Sequence, residues 1–196
     1  METKDVQPAQ HSSGEAGRLA LPVLGQTDRE LAQASEALRR RIDRLFGRSL
    51  HIRHVDAGSC NSCESEIKLL TSPYYDLHRL GLFFTPAPRH ADLLLVTGPI
   101  TRAMEGPLLR TYEAMPDPRL VVAVGACPYS GGVFGPSPYV RGSLAEVLPV
   151  DVFIPGCPPS PLALIHGLLL AINRAEQRLR GGAWTASPAG TVEERR

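Results

Sequence analysis

The sequence predicts an α/β domain in which a mostly parallel sheet is covered by helices on both faces. Two observations carry that expectation. The runs ADLLLVTG (91–98) and LVVAVGAC (120–127) are continuously apolar, as strands buried on both faces must be. Strand-like runs then alternate with helix-like stretches from His51 onward, the order from which parallel sheets are built.

The elements follow in chain order. Residues 1–26 are rich in Ser, Gly, Gln and Pro and read as a disordered arm. An N-terminal helical unit, 27–49, comes next. Within 28–48, Leu31, Ala34, Leu38, Ile42 and Leu45 recur at spacings of 3 and 4 and share one face. Its second half carries Arg39, Arg40, Arg41, Arg44 and Arg48. These read either as a solvated face whose cations suit a helix C-terminus or as a surface docked on a partner or near anionic lipid headgroups. The main domain occupies 50–180. HIRHV (51–55) is a short strand, 62–70 a helix, LGLFF (80–84) a short strand, 91–98 a strand and 101–115 a helix. The run 120–127 and DVFIPGC (151–157) are the last strands, and 161–180 is a helix that begins almost wholly apolar. Residues 181–196, with Gly181, Gly182 and Pro188, read as a flexible tail. No internal repeat is present.

Composition narrows the function classes. A chain of 196 residues with 43% hydrophobic content suits one globular domain with loose ends. The 21 basic and 20 acidic residues are interspersed, so the net charge of +1 creates no field for a polyanion, and nucleic acid is not an expected partner. Four cysteines are too few for a secreted disulfide scaffold of this length. The first residues, METKDVQPAQHSSGEAG, lack the apolar core of a signal peptide. The longest apolar stretch, 162–172, is 11 residues, whereas a bilayer span needs roughly 20, so no transmembrane segment is expected. The expectation is a soluble cytoplasmic chain in a reducing compartment.

The four cysteines follow strands. Cys60 comes after 51–55 by a loop of Asp56, Ala57, Gly58 and Ser59, and Cys63 lies one turn into the next helix. Cys127 and Cys157 follow the strands expected over 120–125 and 152–154. Parallel strands all point one way, so these cysteines collect at the carboxyl edge, where open α/β sheets place their ligands. The spacing is C-x2-C, then 63 intervening residues, then 29. Four thiolates suit a cubane 4Fe–4S cluster, each iron taking one sulfur. Gly58, Gly125, Gly131, Gly132 and Gly156 would let backbone approach such a group closely. Three other readings stay open: buried cysteines acting as small hydrophobes, a structural zinc site, and a thioredoxin-like dithiol made of Cys60 and Cys63.

The segments DAGSCNSCESEI (56–67), VTGPITRAM (96–104), VGACPYSGGVF (124–134) and IPGCPPSP (154–161) resemble the small subunit of energy-converting nickel–iron hydrogenases. The type is that of hydrogenase-4 component I and formate hydrogenlyase, and the segments also resemble the homologous 20 kDa subunit of complex I, the NADH:quinone oxidoreductase. The similarity runs in order over roughly residues 50–173. It implies a flavodoxin-like three-layer fold and one 4Fe–4S cluster ligated by Cys60, Cys63, Cys127 and Cys157. Complex I subunits have adjacent cysteines at the first site, whereas Asn61 and Ser62 separate them here. That spacing favours the hydrogenase branch over direct quinone reduction.

Residues beside the cysteines have expected roles. Glu66, three residues after Cys63, matches an acid of the complex I motif and reads as a proton-handling group or as a first-turn helix acid; Glu64 is the weaker candidate. Thr97 and Gly98 end a strand and are expected to face the cluster. Arg102 offsets cluster charge, contacts a partner or is simply solvated, and Ser130 supplies hydrogen bonds near Cys127 or serves simple turn chemistry. His51 and His54 fall on opposite faces of one strand, so they make no joint ligand pair. His166 reads as a satisfied core residue. No Gly-rich phosphate loop accompanies the fold, so nucleotide or flavin binding lacks support.

The expected function is electron transfer through one cluster within a membrane-associated hydrogenase-like oxidoreductase, with no bond chemistry in this chain alone. The partners implied are a hydrogenase or complex I-type large subunit, a ferredoxin-like iron–sulfur subunit and membrane subunits, with this chain peripheral to the cytoplasmic side of the inner membrane. The alternatives are a quinone-reducing subunit and a non-catalytic scaffold with a structural metal site.

Overall fold

The structure is a computed structural model and describes residues 24–135 and 137–179. Residues 1–23 of the expected arm and the expected tail at 181–196 lie outside the described residues. The elements run α1 (Leu24–Phe46), β1 (Leu50–Asp56), α2 (Ser62–Leu69), β2 (Leu82–Phe84), β3 (Leu93–Thr97), α3 (Arg102–Glu113), β4 (Leu120–Val124), α4 (Ala126–Ser130), β5 (Val152–Ile154) and α5 (Pro161–Leu179). The five strands form one sheet in the order β2-β1-β3-β4-β5. Every neighbouring pair is parallel, with Ile52 opposite Leu93, Leu93 opposite Leu120 and Val122 opposite Val152. This is the flavodoxin-like order.

Strand alternation divides the apolar side chains between two cores. Leu50, Ile52, Leu93, Leu95, Leu120, Val122 and Ile154 pack against α1, α2 and α5. Val55, Leu94, Val96, Val121 and Ala123 pack on the other face against α3 and Leu144. All five residues of β3 and of β4 are buried, which is why those runs carry no polar alternation.

Several boundaries differ from the sequence reading. Helix α1 begins at Leu24, inside the expected arm, because the apolar spacing that marks it starts only at Leu31. In LGLFF only Leu82–Phe84 is strand: residues 77–80 form a 3-10 turn that Gly81 ends at φ 82°. The run 120–127 stops being strand at Val124, and Cys127 sits in the short helix α4 rather than at a strand end. His166 lies on the exposed side of α5, not in the core. Among the described residues, no helix is long and apolar enough to cross a membrane.

Helix α1 is docked on its own chain. Ala34, Leu38 and Ile42 are buried in the core that α5 shares, and Arg41 Nη1 donates to Glu176 Oε2 at 2.7 Å. Of the other arginines, Arg40 pairs with Glu36 at 2.9 Å and Arg39 with Asp43 at 4.0 Å. Arg48 grips both oxygens of Asp92, at 2.6 and 3.1 Å. Much of the basic stripe is therefore matched within the chain.

Leu38, fully buried, is expected to cost about 2–5 kcal/mol of stability when replaced by Ala. Arg40→Ala, at an exposed pair, is expected to leave the denaturant midpoint in place. Urea titrations of the two variants check both.

Candidate functional site

The connections after β1, β4 and β5 leave the carboxyl rim of the sheet, and they carry the four cysteines, Cys60 and Cys157 in loops and Cys63 and Cys127 in the helices that follow. After β1 the chain turns at Asp56, whose Oδ1 accepts from the backbone N–H of Gly58 and Ser59 at 2.8 and 2.7 Å. The Ser59 hydroxyl accepts from the Asn61 N–H at 3.1 Å, and Asn61 takes a left-handed conformation (φ 70°) to open α2. Cys60 is thus placed in the loop and Cys63 in the first turn of the helix. The loops after β4 and β5 are stitched together, Gly125 N–H donating to Ile154 O and Ala126 N–H to Gly156 O, both at 2.8 Å. That fixes Cys127 beside the segment carrying Cys157.

Two glycines show how closely backbone and sulfur approach. A Cβ on Gly125 would stand 2.9 Å from Cys63 Sγ, and one on Gly132 would stand 2.8 Å from Cys127 Sγ. Both residues also have positive φ, 92° and 58°, which favours glycine independently of space. Gly98 lies against the backbone of Ser59, in the gap between the β1 loop and the β4 loop.

The thiols share one electrostatic neighbourhood. Burial pushes Cys63 up to about 12, and the charges of Glu64, Cys127, Cys60 and Cys157 push in the same direction. Cys127 is raised by burial and then by Cys157, Cys60 and Glu64. Cys60, exposed, is lowered by its 3.4 Å contact with the Ser62 hydroxyl and by the Ser62 backbone. All four cysteines are free thiols. Such mutual repulsion between thiolates is relieved by a cationic centre bound among them, which deprotonates its ligands. Among the described residues, no three His, Cys, Asp or Glu side chains are gathered closely enough to hold one metal ion. A single tetrahedral ion about 2.3 Å from each sulfur brings thiolates within about 4 Å of one another. A cubane takes each thiolate on a different iron and holds them farther apart.

The surrounding residues divide unevenly. Thr97 is fully buried, and its hydroxyl lies 2.9 Å from His54 Nε2. Glu66 is half-buried, whereas Glu64, the weaker candidate in the sequence, is 7% exposed and lies 3.8 Å from His54 Nε2. Burial lowers the His54 imidazole below its usual value, and the charges of Glu64 and Asp56 recover only part. Arg102 is exposed at the start of α3, its N–H donating to Tyr139 O at 3.0 Å. Ser130 donates its hydroxyl back to Ala126 O at 3.4 Å, so it serves the turn of α4. His51 faces Asp92 and Phe83 on the other side of β1 from His54. Glu64 and His54 are what sequence reasoning missed. The available signal was parity: His54 continues the buried row of Leu50 and Ile52.

Residues 60–171 match the family described as NADH ubiquinone oxidoreductase, 20 Kd subunit. The chain is 46% identical over 138 residues to a probable membrane-bound hydrogenase subunit of Pyrococcus furiosus, covering 70% of this chain and 83% of that one. It is 42% identical over 159 residues to formate hydrogenlyase subunit 7 of Escherichia coli, covering 81% of this chain and 61% of that one. It is 45% identical over 118 residues to an NADH-quinone oxidoreductase subunit of Rhizobium meliloti, covering 60% of this chain and 68% of that one. Its fold matches a chain of a membrane-bound sulfane sulfur reductase, an archaeal respiratory membrane complex, with TM-score 0.59 and 33% identity over 74% of this chain and 77% of that one.

The thiol environments predict an order of reactivity. In the reduced, chelator-treated chain, iodoacetamide is expected to modify Cys60 well before Cys63, read by peptide mass spectrometry. The raised Cys63 value also fixes a sign: above about 8.5 the unfolded chain loses this proton first. Stability therefore falls as pH rises from there towards about 12, and denaturation midpoints measured across that window check it.

Proposed function

The chain belongs to the family of the 20 kDa subunit of NADH ubiquinone oxidoreductase, and from that membership we propose that it carries electrons through one 4Fe–4S cluster held by Cys60, Cys63, Cys127 and Cys157. What supports the reading is that four free cysteines follow β1, β4 and β5 at the carboxyl end of the sheet, with Cys63 and Cys127 each feeling the charges of the other cysteines, and that Gly125 and Gly132 pack against the sulfurs of Cys63 and Cys127 with no room for a side chain. When bound, such a cluster accepts and releases one electron at a time. This chain's own residues contribute ligation, backbone approach and the local field.

The relatives favour the same reading. They belong to a hydrogenase, a formate hydrogenlyase, a quinone oxidoreductase and a sulfane sulfur reductase, whose overall reactions differ. Electron passage is what a subunit common to all of them can share. The C-x2-C spacing of Cys60 and Cys63 and the hydrogenase relatives favour a membrane-associated hydrogenase-like complex. A quinone-reducing role is the second reading, favoured by the 45% identity to the quinone oxidoreductase relative.

In that complex the rim is the face for the large subunit. Cys60 and Cys157 are exposed there, and Val133 and Phe134, which follow the glycine beside Cys127, are 89% and 53% exposed. Apolar side chains so placed are those a partner covers. A ferredoxin-like subunit would supply or take the electrons, and membrane subunits would anchor the assembly on the cytoplasmic side of the inner membrane.

The purified complex is expected to contain about four irons attributable to this chain. Cys127→Ser and Gly132→Ala are expected to lower that iron and the matching paramagnetic signal, and Cys127→Ser to stop electron flow. One zinc and no iron would overturn the reading, and undiminished flow through Cys127→Ser would leave a scaffold role instead.

A further inference from the structure

We infer that Glu64 is the side chain that tunes the potential of the group on the four cysteines, its buried carboxylate holding that potential down; this rests on the cluster reading above. Glu64 follows Cys63 directly in the first turn of α2. An acid there ordinarily points into solvent and offsets the helix dipole. Glu64 instead is 7% exposed, and neither carboxylate oxygen has a hydrogen-bond partner. The nearest group able to bear positive charge is His54, whose Nε2 is 3.8 Å from Oε1 and already 2.9 Å from the Thr97 hydroxyl. Arg53 and Lys68 line the adjoining cavity of about 550 Å³, yet among the described residues no lysine or arginine lies within ion-pair distance of Glu64.

A buried carboxylate without a donor is costly, and sites that keep one use its field. Glu64 is the acid set directly beside Cys63 and turned inward, whereas Glu66, two residues on, is half-buried, so the Glu64 charge acts on the sulfurs through protein rather than through water. Whatever disfavours negative charge on the thiols also disfavours an electron added to a cluster they ligate. The step concerned is a one-electron reduction by the neighbouring carrier; no bond forms or breaks, and the electron does not go to Glu64. His54, held to the Thr97 hydroxyl, is the polar group that faces Glu64 from β1.

The test is a redox titration of the intact complex, followed by the paramagnetic signal of this cluster, in the parent and in Glu64→Gln, Glu64→Ala, Glu64→Asp and Glu66→Gln. The two neutral replacements of Glu64 are expected to move the midpoint to more positive potential, Glu64→Asp to keep it near the parent value, and Glu66→Gln to move it less. Glu64→Ala carries the test if the Gln variant does not assemble. An unmoved midpoint in a neutral Glu64 variant with full signal overturns the inference, as does an equal or larger shift in Glu66→Gln. Absence of any cluster signal from the parent overturns the cluster reading instead, so the two failures are told apart.

Discussion

Five strands running the same way give the sheet two unlike rims, and everything particular to this protein is on one of them. The carboxyl rim receives the loops after β1, β3, β4 and β5, and α2 and α5 begin on it. Their N-terminal ends favour negative charge. Cys60 and Cys157 are nearly a hundred positions apart, and both follow strands that end on that rim. The parallel ladder brings them there, and the ladder stands because β3 and β4 are buried on both sides. Loss of core packing under α1 or α3 would therefore reach the cysteines through strand position.

On that rim the backbone and the side chains act in opposite directions. Helix N-termini and glycine-permitted close approach favour negative charge on the sulfurs. The side chains set against them are Glu64 and the cysteines' own charges, which oppose it. The row of residues beneath α2 changes character where this balance is struck: Leu50 and Ile52 give way to His54, and Leu93 and Leu95 give way to Thr97. A fold chosen for stability alone would continue the leucines. Local departures of this kind, which cost buried polarity, are where function is usually found.

Much of this was legible in the residues. The apolar runs of β3 and β4, the strand–helix alternation and the placement of cysteines after strands led to the parallel sheet and to the rim. What escaped notice depends on direction and depth. The offset from Cys63 ranks Glu66 over Glu64, but the two acids lie two helical positions apart, and only packing decides which of them turns inward. His166 sits in an apolar stretch of α5 and still faces outward, because one face of a helix capping a sheet remains free. Cys127 reads as a strand end because Val124, Gly125, Ala126 and Cys127 are all compatible with a strand. The φ of 92° at Gly125 ends it. Helix α1 was legible as amphipathic, but its docking on α5 through Arg41 and Glu176 joins residues 135 positions apart, beyond any local pattern.

The same geometry bears on how labour is divided in the complex. A carrier that must pass electrons only to chosen neighbours has to keep its centre from water and from chance oxidants, yet near the surface that faces the next centre. In this chain Cys63 and Cys127 are buried and Cys60 and Cys157 are exposed, so the site is closed from beneath and open above. Val133, Phe134 and Tyr139 stand out from the chain at 89%, 53% and 79% exposure, apolar surface that water disfavours. On the proposed reading, the partner's cover does two things at once: it removes this apolar surface from water and lowers the dielectric around the exposed sulfurs. Both the affinity of assembly and the strength of the Glu64 field then rise together.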